Sequence, residues 1–155
     1  MKNLLLVFTH VVALGIGFAL GIYLLPILIE PDSPTVEEIR SAVSGAEFTT
    51  TFRRDLQDSD ALHWGEGTLF ITPQTIAFEG ELAPGPDYRL YLSPEFVETE
   101  AAFQSLKAEM VQVGNVRTFD NFTLDVPAHI DPTDYRAAIV WCETFGQFIT
   151  AGAYQ

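Results

Sequence analysis

Residues 135–154 read YRAAIVWCETFGQFITAGAY. Two runs rich in aromatic and β-branched residues are parted by Gly146, the pattern of strands separated by a breaker. Strand alternation places Ala138, Val140 and Cys142 on one face and Ile139, Trp141 and Glu143 on the other. The same texture recurs upstream in GTLFIT (67–72), TIAFEGEL (75–82), DYRLYLS (87–93) and VRTFDNFTLDV (116–126), and Phe48–Arg53 can supply one more strand. Gly, Pro, Asp or Asn fills most of the gaps. Only SPEFVETEAAFQSLKAEM (93–110) has helical character, with Phe96, Ala102, Phe103, Leu106 and Met110 loosely on one side. Asp131–Asp134 reads as a turn or a single helical turn. Many short strands with little helix predict an all-β fold, an antiparallel sandwich or a barrel, over residues 46–155. That length buries a core without disulfide staples.

The other end of the chain is different. Residues 4–29, LLLVFTHVVALGIGFALGIYLLPILI, carry no formal charge between Lys2 and Glu30. As a helix, 26 residues reach about 39 Å, beyond the ~30 Å hydrocarbon core. A cleaved signal has a shorter apolar stretch and a small-residue cleavage site, and Pro26–Glu30 offers none. Residues 1–29 therefore read as a retained signal anchor, one transmembrane helix interrupted tolerably by His10 and Pro26. Lys2 and the terminal amine precede the span and the first base after it is Arg40, which predicts the N-terminus inside and the domain periplasmic or extracellular. Ala13, Gly17 and Gly21 form a small-residue ladder on which two spans can pack, although such residues are common in membrane helices.

Between span and domain, residues 30–45 form an acidic juxtamembrane linker. Ser33 suits an N-cap, Pro34 a first helical position and Gly45 a helix end, predicting a short helix over 34–43. The whole chain has 21 acids against 8 bases, a formal charge of −13. All 21 acids but only seven bases lie from residue 30 onward, so the exported part carries −14. Such a charge excludes a nucleic-acid-binding footprint. It also predicts repulsion from anionic headgroups, with the domain standing off the membrane.

Catalytic signatures are missing: no Walker loop, G-x-S-x-G, H-E-x-x-H, C-x-x-C or dinucleotide glycine pattern occurs, and nothing marks a stand-alone enzyme. Asp55, Asp58, Asp60 and Glu66 resemble a calcium loop only superficially, because Asp60 stands where the loop needs glycine. They read as a solvated turn. Asn121-Phe122-Thr123 is a glycosylation sequon. Cys142 is the only cysteine, in a compartment expected to be oxidising, so it is buried and inert, paired with another chain, or chemically employed. His63, at the start of a strand, is a candidate ligand; His129, in a loop beside Pro127 and Asp131, is a weaker one.

Three blocks together resemble the DM-thirteen domain. They are His63-Trp-Gly-Glu-Gly67, then Gly85-Pro-Asp-Tyr-Arg-Leu-Tyr-Leu-Ser93, and finally Ala138-Ile-Val-Trp-Cys-Glu-Thr-Phe145, in that order within roughly residues 55–153. The last block is the most specific. The family's Gly-rich Leu-Lys/Gly segment has only Leu106-Lys107 and Val113-Gly114-Asn115 as counterparts. The resemblance implies an extracytoplasmic β-rich electron-transfer module. It implies that Cys142 matches the family's cysteine, as a redox thiol or as ligand to a prosthetic group such as haem, and that a redox protein is the partner. His63 is then the best second ligand or activating partner, and Asp87 a turn residue. Against this stands a non-catalytic binding or scaffold domain in which Cys142 is core.

Overall fold

The strongest local signal becomes one continuous helix, α1 (Lys2–Leu28), in the computed structural model, which covers residues 1–155. It is the only helix long and apolar enough to cross a membrane, with a mean hydropathy of 2.4. Residues 2–21 are exposed throughout, whereas Ile22, Pro26 and Glu30, spaced by four, are half-buried against the domain.

The connection after α1 is docked rather than free. The Glu30 carboxylate accepts the Phe119 N–H at 2.6 Å, the Ser33 hydroxyl pairs with Asp120, and Asn121 donates to the Pro34 carbonyl at 3.1 Å. Ser33 is therefore occupied elsewhere, and the N-cap of α2 (Val36–Ala42) is Thr35. Thr35 and Glu38 form a reciprocal capping box, which satisfies two backbone donors where Ser33 could satisfy one. Ile39 of α2 and Val43, its C-cap, pack against Ala77. The sequon asparagine is likewise structural, since its side-chain oxygen accepts the Gly80 N–H at 3.1 Å.

Eight strands form two antiparallel four-stranded sheets. The first has the order β1 (Phe48–Phe52), β2 (Gly65–Ile71), β3 (Thr75–Leu82) and β6 (Phe122–Asp125). The second runs β5 (Val111–Val116), β4 (Tyr88–Ser93), β7 (Ala137–Cys142) and β8 (Gln147–Ala153). The fold is the sandwich of the two predicted alternatives. Gly67 and Gly80 face each other across β2 and β3; a Cβ on Gly80 would stand 2.7 Å from the Gly67 Cα, so neither position admits a side chain. At one margin the two sheets are tied by the Thr50 hydroxyl, which donates to the Ala153 carbonyl at 2.6 Å.

Leu69, Ile71, Ile76 and Phe78 of one sheet meet Leu90, Leu92, Val140 and Ile149 of the other in the main core. The outer face of the second sheet is also buried. There α3 (Glu100–Leu106) lays Phe103 over Trp141, Phe148, Ile139 and Tyr91. Every residue of β7 is consequently buried, and its two faces divide as alternation predicts: Ala138, Val140 and Cys142 inward, Ile139 and Trp141 beneath α3.

Two expectations about segments change. The run 116–126 is not one strand: it leaves the second sheet at Val116, turns where the Thr118 hydroxyl donates to the Asn121 carbonyl, and enters the first as β6. The helix in 93–110 is confined to residues 100–106 plus a 3₁₀ turn, because Thr99 caps it and Val111 already begins β5. Asp131–Asp134 forms the expected turn, a 3₁₀ turn over Pro132–Asp134 capped by Asp131.

Candidate functional site

Cys142 is the last residue of β7, directly opposite Tyr88 at the start of β4. After it the chain turns back through Gly146, whose φ of 63° suits glycine and whose N–H reaches the Cys142 carbonyl at 2.9 Å. The block Gly85–Asp87 lies alongside. Asp87 staples the start of β4 to this turn: its carboxylate pairs with Arg89 at 2.8 Å and accepts the Thr144 hydroxyl at 3.1 Å. Its carbonyl accepts the Glu143 N–H at 3.0 Å. Gly85 passes so close over the Tyr88 ring that an added Cβ would overlap it, while the Tyr88 hydroxyl donates to the Ala83 carbonyl at 2.8 Å.

The thiol itself is 3% exposed and unpaired. Burial pushes its pKa up, against the backbone N–H groups of Phe145, Asp87 and Thr144, which favour the thiolate; the Asp87 carboxylate pushes it further up. The balance is upward, so Cys142 is a protonated thiol at neutral pH. His63 is not among these leading influences on the sulfur.

His63 sits in the loop before β2. Its Nδ1 lies 3.0 Å from both oxygens of Asp60, which also accepts the N–H groups of Leu62 and His63 at 2.7 and 2.8 Å. The His63 ring, followed by the Leu62 N–H, holds the Asp60 carboxyl below its usual range. Engaging one ring nitrogen with a carboxylate orients a histidine and leaves Nε2 as its coordinating atom. The acidic loop therefore does more than meet solvent: Asp60 aims His63, and Asp58 accepts the first N–H of α3, that of Glu100, at 2.6 Å.

Cys142 and His63, far apart in sequence, border one pocket of about 340 Å³. Tyr88 and Ile149 form its inner wall with the cysteine, the Pro84–Pro86 arch and Leu62 its sides, and Phe145 its rim. Ile22 and Tyr23 of α1 close the outer side. His129 is exposed in the β6–β7 connection and does not border the pocket; nor does Asp87, which faces the neighbouring cleft on the other side of the arch.

On the opposite face of the sheet, Lys107 holds Glu143 at 2.7 Å and the Tyr91 hydroxyl bonds the same carboxylate. Burial works against the charge on Glu143, but these two donors outweigh it and keep the carboxyl below its usual range. Sequence reasoning missed this bracket, which fixes the residue next to Cys142. The only signal was that Lys107, Tyr91 and Glu143 each sit in or beside the family-like blocks.

No three His, Cys, Asp or Glu side chains converge to hold a metal ion. One sulfur and one imidazole on a common pocket are donor atoms that could ligate the iron of a haem. The volume lies near the lower end for ligand sites.

The class the structure defines is a two-sheet β-sandwich that follows one long apolar helix and carries a buried thiol and an imidazole on one pocket. The chain belongs to the electron transfer DM13 family, whose model matches residues 51–154. Neither a curated protein nor a solved structure matches it.

Proposed function

We propose that this protein is a membrane-anchored, extracytoplasmic electron-transfer module whose redox centre occupies the pocket between Cys142 and His63. Residues 1–29 are the anchor, 30–45 the acidic connection and 46–155 the functional domain. The observation that carries the reading is that Cys142 and His63, both within the matched residues 51–154, border the same pocket. Cys142 Sγ and His63 Nε2 would hold a haem there, which would supply a one-electron iron couple. Asp60 fixes the imidazole, and the N–H groups of Phe145, Asp87 and Thr144 offset the charge that ligation leaves on sulfur. Tyr88 and Ile149 keep water from the inner wall. Electrons pass to a redox protein partner.

One observation favours a second reading, in which the domain is an extracytoplasmic scaffold. Cys142 lies within the main core and its thiol is pushed up, as inert packing also requires.

Two measurements separate the readings: the absorption spectrum of the purified chain with haem added, and native-state alkylation of the thiol across pH. Electron transfer predicts a bound chromophore whose spectrum changes in both Cys142→Ser and His63→Ala, or a thiol that reacts without unfolding. A colourless chain that binds no haem, with a thiol reactive only after denaturation, would leave the scaffold. A C-terminal reporter active only outside the cytoplasm tests sidedness; a silent one beside an active cytoplasmic reporter would reverse it.

A further inference from the structure

α1 is longer than a membrane requires. Its 27 residues reach about 40 Å, so a ~30 Å hydrocarbon core entered just after Lys2 ends near residue 23. Tyr23 stands at that level, where aromatic side chains anchor helices at the membrane–water boundary. Ile22 and Tyr23 are also the α1 residues that border the Cys142 pocket. The pocket is therefore placed at the outer edge of the hydrocarbon, roughly 9 Å below the end of α1 at Leu28.

The surface of the domain agrees with that depth. Beyond residue 29 only three large apolar side chains are exposed: Leu62 at 59%, Phe145 at 50% and Phe96 at 41%. Leu62 and Phe145 both border this pocket. Phe96 follows the far end of β4, about 17 Å of strand away from Tyr88. In a domain carrying −14, none of the residues around the pocket is Asp, Glu, Lys or Arg. A lining without carboxylates or cationic chains, with Leu62 and Phe145 exposed at its rim and α1 alongside, suits lipid rather than water.

We propose that the mouth of the Cys142 pocket is seated in the outer leaflet, with Leu62 and Phe145 inserted beside Tyr23, so that the bilayer itself is the partner of this face. The docked connection holds it there: Glu30 on Phe119 and Ser33 on Asp120 leave no slack for the acidic domain to be pushed away. The acid nearest the rim is Asp60, whose carboxylate is engaged by the Leu62 N–H and by the His63 N–H and ring. A molecule entering the pocket then does so from the lipid. This rests on α1 being the anchor, and is independent of what Cys142 does.

The test uses the full chain in lipid nanodiscs whose acyl chains carry bromine either close to the headgroup or near the bilayer centre. Three single replacements, Phe145→Trp, Phe96→Trp and Leu14→Trp, are each read as the difference in tryptophan quenching from the native chain. Leu14→Trp should be quenched by deep bromines. Phe145→Trp should be quenched by shallow bromines at least about twofold more than Phe96→Trp, as insertion by 5–10 Å requires. Equal quenching at positions 145 and 96 alongside a quenched Leu14→Trp would overturn the seating and leave the anchor intact. An unquenched Leu14→Trp would remove the anchor, and the seating with it. Haem binding or thiol reactivity in detergent is unaffected by either outcome, so the redox reading stands or falls separately.

Discussion

Replacing Trp141 by alanine should be among the most damaging single changes in the domain. The side chain is 0% exposed and stacks on Phe103 with ring centroids 3.9 Å apart and planes 9° from parallel. A buried tryptophan removes about 150–250 Å² from water, worth some 4–6 kcal/mol at about 25 cal/mol per Å². Large-to-small aromatic substitutions in cores cost about 3–5 kcal/mol, because the site partly collapses. We expect about 4 kcal/mol, a large share of the 5–15 kcal/mol typical of a domain. In urea, with a slope of about 2 kcal/mol/M, the midpoint of fragment 31–155 should fall by roughly 2 M. The loss should be partly shared with Phe103, since α3 is clamped to the sheet through this pair. A double-mutant cycle of Trp141→Ala with Phe103→Ala should return a coupling of about 0.5–1.5 kcal/mol. A midpoint shift below roughly 0.5 M would refute the packing argument. Strictly additive losses would show that α3 is held by other contacts.

The pH dependence of the same fragment follows from groups whose pKa burial raises. Cys142 keeps its proton more tightly folded than unfolded, so its contribution is complete below the unfolded value of about 8.5 and is lost as pH rises through the folded one. Stability should therefore decline from about pH 8.5 in the native fragment but not until tyrosines ionise, near pH 10, in Cys142→Ala; identical profiles between these values would contradict the buried thiol. Tyr88 and Tyr154, also raised by burial, should steepen the decline beyond pH 10 in both. At the other margin of the sandwich, Ile39→Ala should cost about 2–5 kcal/mol in fragment 31–155, because Ile39 is fully buried between α2 and the first sheet. An unfolding midpoint equal to that of the native fragment would show that α2 is a mere connection.

The sequence determined whatever depends on near neighbours. An uninterrupted apolar run dictates a helix long enough to cross a membrane, and period-two alternation dictates which side chains share a face. That is why the inward set Ala138, Val140 and Cys142 and the outward Trp141 are legible from the order of residues alone. Breakers locate most strand ends. The division of 116–126 between two sheets is not legible, since alternation continues on either side of a turn that only the Thr118–Asn121 hydrogen bond reveals. The N-cap of α2 departs from expectation for a similar reason: Ser33 and Thr35 are equivalent as local caps until Asp120, far along the chain, engages Ser33. The tertiary structure alone decided that His63 and Cys142 border one pocket, that Asp60 orients the histidine, and that α1 forms a wall. Local chemistry sets the face on which a residue lies but not which loop is folded over it. The thiol's pKa follows the same division, because desolvation and backbone N–H groups from the β4 approach and the β7–β8 turn act on it together, and only packing brings them there.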